Sequence, residues 1–138
     1  MKILGIDYGR RRIGIAVTDE TGTCVYGRPT IDRKKVDNIF SVLSALISKE
    51  SPNTLVFGVP LGPYDEETVM SKEIREFAKV LSRTISQEIA IHFIDESFTS
   101  SQAQEKLRFR KKKQRQNKDL LNRFAACHIL ESFQRLRQ

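Results

Sequence analysis

The fold is decided near the start of the chain, by the stretch Lys2-Ile3-Leu4-Gly5-Ile6-Asp7-Tyr8-Gly9-Arg10-Arg11-Arg12-Ile13-Gly14-Ile15-Ala16-Val17-Thr18. Residues 2–7 are a short apolar run and residues 12–18 alternate with a period of two, so both predict strands. Turn residues join them, with Gly9 available for a positive φ, and Gly22 has the same role before a weaker strand over residues 23–31. The chain therefore opens as an antiparallel three-stranded meander.

After the meander, predicted helices and strands alternate. Apolar stripes at helical spacing predict helices over residues 33–49 and 66–85, the second with acidic residues at its start where the helix dipole favours them. Short, continuously apolar runs at 55–59 and 89–94 predict strands buried on both faces of a parallel sheet. Further helices are expected at about 100–107 and 118–137. The predicted fold is α/β: a mixed five-stranded sheet, three antiparallel strands followed by two parallel ones, with helices on both faces.

The size of the chain predicts one domain. It has 138 residues, 39% of them hydrophobic, which is enough for one core and too little for two. No run of about 18 apolar residues exists to span a membrane, and the acidic Asp7 comes too early for a signal-peptide core. We therefore expect residues 1–138 to form a single cytoplasmic domain with no membrane partner.

The net charge of +7 is concentrated in one segment. Residues 106–118 contain eight Lys or Arg and no acid, whereas the other 125 residues carry 16 basic and 17 acidic groups. Such a block binds phosphate backbones by releasing their counterions, and it is often mobile until a ligand is present. The alternative is a solvated loop with no partner. The residues predicted to bind nucleic acid are Arg108, Arg110, Lys111, Lys112, Lys113, Arg115 and Lys118.

Acidic residues follow two of the predicted strands. Asp7 ends the first strand, and Asp95 and Glu96 end the last one. The carboxyl ends of parallel strands meet at one edge of a sheet, so these acids are expected to share a site, although a lone Asp after a strand is more often a turn residue. The chain shows no Ser-His or Cys-His arrangement, phosphate-cradling glycine loop or zinc-ligand spacing. Phosphodiester hydrolysis assisted by Mg²⁺ or Mn²⁺ is the chemistry these residues could support.

Four segments resemble motifs of the YqgF (RuvX) family, and the similarity spans essentially the whole chain. They are the opening motif Asp7–Val17, then Gly58-Val59-Pro60-Leu61, then Asp95-Glu96-Ser97-Phe98-Thr99-Ser100, and finally Ala125-Ala126 with Ile129-Leu130. The resemblance implies an RNase H-like fold and a bacterial cytoplasmic endonuclease that matures the 5′ end of the 16S ribosomal RNA precursor. A Holliday junction resolvase acting on branched DNA is the alternative, as a monomer or a homodimer.

The resemblance also implies roles for single residues. Asp7 and Glu96 would be the first and second ligands of one or two Mg²⁺ or Mn²⁺ ions. Arg10, Arg11 and Arg12, in the basic part of the opening motif, would contact phosphate.

The third acid of the family has no equivalent at its usual position. That position, three residues before the Ala125-Ala126 pair, is Asn122. Asn122 could bind a metal through its carbonyl oxygen, or Asp119, on nearly the same face of the helix, could supply the carboxylate. Alternatively, Asn122 caps the helix or faces solvent and Asp119 complements the helix dipole. The change implies reduced or altered catalysis, and a noncatalytic RNA-binding ribosome-assembly factor is a third hypothesis.

Overall fold

The sheet has the predicted composition. The computed structural model describes residues 1–96 and 118–137. Strands β1 (Ile3–Asp7), β2 (Arg12–Thr18) and β3 (Val25–Asp32) form the antiparallel meander. Strands β4 (Thr54–Val59) and β5 (Ala90–Asp95) add in parallel beside β1, which gives the order β3-β2-β1-β4-β5. The prediction of a mixed five-stranded sheet is confirmed. Burial on both faces is confirmed for β4 but was wrong for β5, which is an edge strand with only Ile94 buried.

The two turn glycines serve different purposes. Gly22 has a φ of +77°, as predicted. Gly9 does not have a positive φ, so that part of the prediction was wrong. Gly9 is instead required by close packing, because a Cβ there would come within 2.2 Å of the carbonyl oxygen of Arg12.

Three helices are described: α1 (Ile39–Glu50), α2 (Val69–Thr84) and α3 (Lys118–Leu136). The predicted start of α1 at residue 33 was wrong, because residues 33–35 form a separate 3-10 turn and the side chain of Asn38 accepts hydrogen bonds from the first free N–H groups of α1. Likewise α2 starts three residues late, behind a capping box between Thr68 and Ser71, so the acidic residues 66 and 67 precede the helix. The helix expected at 100–107 lies outside the described residues.

The helices cover both faces of the sheet, as predicted. Helices α1 and α2 pack on the face that carries Leu4, Ile6 and Phe57. Helix α3 packs on the opposite face, which we call the α3 face. It approaches β1 closely there, since a Cβ at Gly5 would meet the side chain of Leu130 at 2.7 Å. Within the described residues, no helix is both long and apolar enough to cross a bilayer.

Candidate active site

The two predicted carboxylates lie at the same edge of the sheet and on the same face. Asp7 is the last residue of β1, and Glu96 directly follows β5. Side chains alternate along a strand, so Asp7 shares the α3 face with Gly5, and Glu96 shares it with Ile94. The backbone N–H of Glu96 donates to the carbonyl oxygen of Val59 at 3.0 Å. This bond continues the β4–β5 ladder and holds the backbone of Glu96 in place.

A glycine between them makes room for the glutamate. Strand β4 separates β1 from β5, and its Gly58 lies beneath the side chain of Glu96. A Cβ at position 58 would come within 2.5 Å of Glu96 Oε2 and 2.6 Å of Glu96 Cδ. The carboxylate of Glu96 therefore lies across the backbone of β4, on the α3 face that Asp7 shares.

Both acids are costly to ionise in the metal-free protein. Burial raises the pKa of Asp7 to about 7. Burial also raises the pKa of Glu96 to about 8, and the negative charges of Asp7 and Asp95 raise it further. Removal from water is the largest cause of both shifts, because burial disfavours the charged form of a carboxyl group.

One oxygen of this pair has no partner. Glu96 Oε2 is inaccessible to solvent and accepts no hydrogen bond from the residues that the structure describes. A buried carboxylate oxygen left in this state costs free energy, which is why such atoms are rare in native proteins. Hard, anionic oxygen donors are the ligands that Mg²⁺ and Mn²⁺ prefer. The donor chemistry of Asp7 and Glu96 thus fits a divalent cation.

Asn122 lies next to this pair. Its backbone packs on Gly14, where a Cβ would come within 2.3 Å of the Asn122 carbonyl oxygen, and Gly14 is the partner of Asp7 in the β1–β2 register. Among the described residues there is no group of three or more His, Cys, Asp or Glu able to hold a metal.

Asp119, the other candidate for the third ligand, makes structural contacts. One carboxylate oxygen accepts a hydrogen bond from the backbone N–H of Thr30 at 2.8 Å, and the other accepts from Arg123 at 2.7 Å. Although burial opposes it, the pKa of Asp119 is lowered by these bonds to Thr30 and Arg123. The carboxylate ties the start of α3 to β3, two strands away from Asp7.

The three arginines predicted to bind phosphate have different surroundings. Arg10 is held by Glu73 of α2, with its Nε 3.1 Å and its Nη2 2.9 Å from Oε1. Arg11 lies 3.8 Å from Asp32, a loose contact. Arg12 lines a cleft beside β3 and forms no salt bridge with the described residues.

The same Glu73 fixes the residue that follows Asp7. The hydroxyl of Tyr8 donates to Glu73 at 2.6 Å. The guanidinium of Arg33 lies 5.5 Å from the centres of the Tyr8 and Phe77 rings and donates to the carbonyl oxygen of Gly9 at 3.2 Å. These contacts hold the β1–β2 turn against α2.

Several of these residues were missed from the sequence. Glu73 and Gly58 carry no local signal for their roles, since both act across strands or helices. Arg33 did carry one, because Arg33-Lys34-Lys35 is a visible basic triplet. The basic segment 106–118 lies outside the described residues, except that the backbone of Lys118 begins α3.

Comparison with known proteins places this geometry in a family. A family model described as "RuvX: Holliday junction resolvase" matches residues 1–135. A protein of Nitratidesulfovibrio vulgaris (strain DP4) named "Putative pre-16S rRNA nuclease" is 38% identical over 133 residues, which cover 96% of this chain and 92% of that protein. One of the same name from Crocosphaera subtropica is 37% identical over 130 residues, covering 94% and 90%.

Solved structures share the fold at low sequence identity. T. thermophilus RuvC in complex with a Holliday junction substrate aligns with a TM-score of 0.60 and 12% identity, covering 100% of this chain and 97% of that one. The fowlpox virus resolvase in complex with junction DNA aligns with a TM-score of 0.63 and 10% identity, covering 99% of each chain. The fold is therefore that of the RuvC-like RNase H class.

The chain belongs to the RuvX (YqgF) family. Membership confirms the predicted class of enzyme, a nuclease that hydrolyses phosphodiester bonds.

Proposed function

We propose that this protein is a metal-dependent endonuclease that cuts structured RNA at the 5′ end of the 16S ribosomal RNA precursor in the bacterial cytoplasm, with residues 1–138 forming one nuclease domain. The observation that carries the proposal is the pair of Asp7 and Glu96, which share one face at one sheet edge and include a buried carboxylate oxygen that accepts no hydrogen bond from the described residues. The names of the relatives from two bacteria support the choice of RNA.

Asp7 and Glu96 would hold Mg²⁺ or Mn²⁺, with the side-chain oxygen of Asn122 as a neutral third donor. When bound, the ion stabilises the negative charge on the attacking and leaving oxygens of the phosphodiester. The protein supplies the fixed carboxylates. In the metal-free state near neutral pH, their raised pKa values keep protons on the pair, and these protons leave when a cation binds.

The protein also fixes the direction of the two carboxylates. Gly58 allows Glu96 to lie flat over β4, and the ladder hydrogen bond to Val59 anchors the backbone of Glu96. Asp7 therefore lies within a strand, and the backbone of Glu96 is held directly after one. Such pre-organisation is what electrostatic catalysis requires, since no ligand has to move when the transition state forms.

A cleavage assay tests the proposal. A 5′-extended 16S precursor fragment is incubated with Mn²⁺ and wild-type protein, Asp7→Asn or Glu96→Gln, with Glu76→Gln, at an exposed acid of α2, as the matched control. We expect wild type and Glu76→Gln to cut and the other two variants to lose at least about a hundredfold in rate, the scale of removing one electrostatic catalyst. Equal rates for wild type and Asp7→Asn would refute the assignment of the site.

The second candidate function is resolution of a four-way DNA junction, which the description of the family model favours. Resolvases cut two strands symmetrically, so they normally act as dimers with two-fold symmetry. Assaying the same enzyme on a four-way DNA junction and on the RNA distinguishes the two functions. Faster cleavage of the junction, by a dimeric enzyme, would show that DNA and not RNA is the substrate. Binding of RNA without Mn²⁺ binding or cleavage would instead favour a noncatalytic assembly factor.

A further inference from the structure

A basic cleft lies beside the carboxylate pair. It has a volume of about 410 Å³ and is formed by β3, the 3-10 turn that follows it and the start of α3. We call it the β3 cleft; its lining residues are Arg12, Pro29, Thr30, Asp32, Lys35 and Asp119. Arg12 and Lys35 form no salt bridge with any residue that the structure describes, although both are near enough to Asp32 for their charges to lower its pKa.

Cations outnumber acids at the cleft. Asp119 is bonded to Arg123 and to the backbone of Thr30. Asp32 accepts a hydrogen bond from the backbone N–H of Lys34 at 3.1 Å, which lowers its pKa, and the charges of Arg11, Arg12 and Lys35 lower it further. Among the described residues, two acids thus face four cations, Arg11, Arg12, Lys35 and Arg123, so the net charge at the cleft is positive.

The position of the cleft relates it to the carboxylates. Arg12 shares the α3 face of β2 with Gly14, and Gly14 pairs with Asp7. From β1 to β3 the sheet spans two strand spacings, roughly 10 Å. Asn122, packed on Gly14, lies between the cleft and Asp7. Arg12, which lines the cleft, and Asp7 thus lie on the same face of neighbouring strands.

Acidic residues lie in the connection from β4 to α2. Residues 60–68 contain three acids and no Lys or Arg. Glu67 is paired with Arg75, and Asp65 and Glu66 are exposed. The exposed acids of this connection therefore repel a polyanion, in contrast to the cations at the β3 cleft.

We propose that the β3 cleft binds a backbone phosphate of the nucleic acid that flanks the scissile phosphodiester, through the guanidinium of Arg12 and the ammonium of Lys35. The inference rests on the proposed function in that it takes nucleic acid as the ligand. Arg12 supplies a planar fork of N–H donors, and Lys35 supplies a mobile point charge. The cleft thus sets the direction in which the strand leaves the site, toward β3.

The test is equilibrium binding of the 16S precursor fragment, measured by fluorescence anisotropy at several salt concentrations. Every protein carries Asp7→Asn, so cleavage does not interfere. Lys35→Ala and Arg12→Ala are compared with Lys79→Ala, an exposed lysine of α2 away from the cleft. We expect each cleft variant to weaken binding by about threefold to fivefold and to reduce the slope of log affinity against log salt by about one. Lys35→Arg should restore both.

The inference is overturned if Lys35→Ala and Arg12→Ala match Lys79→Ala in affinity and in slope, or if the reference protein does not bind the RNA. The proposed function is tested separately, by cleavage with the wild-type protein. If the wild-type enzyme cuts the RNA and the cleft variants bind it normally, the proposed function stands and the cleft proposal is wrong. If the wild-type enzyme does not cut and the cleft variants bind the RNA more weakly, the cleft proposal stands and the proposed function is wrong.

Discussion

The carboxylate of Glu96 lies against the backbone of Gly58, so closely that a Cβ at position 58 would be 2.5 Å from Oε2. The same Cβ would come within 2.8 Å of Ile129 in α3. The absence of a side chain at position 58 is therefore a condition for the position of the second acid.

Replacing Gly58 by alanine should displace that acid. We expect Gly58→Ala to lower the cleavage rate at least about tenfold and to destabilise the protein by about 1–3 kcal/mol, as overpacking does. Activity is measured with the precursor fragment and stability by urea unfolding. Gly27→Ala, where the new Cβ meets the flexible side chain of Arg123, is the control and should keep its activity.

A double variant shows whether the strain involves Glu96. Truncation in Gly58→Ala/Glu96→Ala removes the colliding carboxylate, so part of the lost stability should return, a non-additive result. Strictly additive free energies would mean that Glu96 does not lie over Gly58.

The pH dependence of stability should report the buried acids. The pKa of Asp7 is raised to about 7 when folded, so the folded protein binds this proton more tightly than the unfolded chain does. The stability that this group contributes is complete below the unfolded value near 4 and is lost as pH rises through about 7. In metal-free buffer at pH 8, Asp7→Asn should therefore have a higher Tm than wild type, and its free energy of unfolding should be larger by on the order of 1–3 kcal/mol. At pH 4 it should show no such gain.

Metal should reverse that order. A cation that binds only the folded state stabilises it by mass action, so Mn²⁺ at pH 8 should raise the Tm of wild type and leave that of Asp7→Asn unchanged. Asp37→Asn, which alters an exposed acid before α1, serves as the control and should follow wild type. A Tm rise of equal size in Asp7→Asn would place the ion elsewhere.

Asn122→Asp should restore the missing charge. A third carboxylate beside Asp7 adds an anionic donor, so we expect Mn²⁺ affinity, measured by calorimetry, to rise about tenfold, equivalent to about 1.4 kcal/mol. In metal-free buffer the same change should lower stability, because it adds a like charge to a pair already hard to ionise. Asn122→Ala should weaken metal binding. Unchanged affinity in both variants would remove Asn122 from the ligand set.

Glu73 should act as a positioning residue. It bonds both Tyr8 and Arg10, and so holds the turn that follows Asp7. We expect Glu73→Gln to lower kcat by about threefold to tenfold, the effect of losing charge-assisted hydrogen bonds, without raising KM, because the released Arg10 becomes available to the substrate. Glu76→Gln, an exposed acid on the same helix, should change neither constant. A rise in KM with unchanged kcat would make Arg10 and Glu73 a binding element instead.

The sequence predicted the parts of this molecule that depend on local pattern. Alternation in β2 and the apolar runs of β1, β4 and β5 are strong signals. Because parallel strands end at one edge of a sheet, the sequence also predicted that Asp7 and Glu96 lie near each other. The predicted starts of α1 and α2 were wrong because the side chains of Asn38 and Thr68 cap these helices, whereas the apolar stripes begin earlier in the sequence.

The remaining features depend on register and packing, which periodicity does not contain. Asn122 and Asp119 are one helical turn apart, and only the position of α3 over the sheet shows that Asn122 packs on Gly14 while Asp119 bonds to β3. The space above Gly58 likewise exists only because β5 brings Glu96 beside it. The metal roles of Asp7 and Glu96 stay predictions until an ion is observed.

The most direct measurement is anomalous X-ray scattering from crystals of this protein soaked in Mn²⁺. The proposed site predicts an anomalous peak at coordination distance from both the Asp7 carboxylate and the Glu96 carboxylate, and its loss in crystals of Asp7→Asn. A peak at Asp119 with none between Asp7 and Glu96, or no peak at either place, would contradict it.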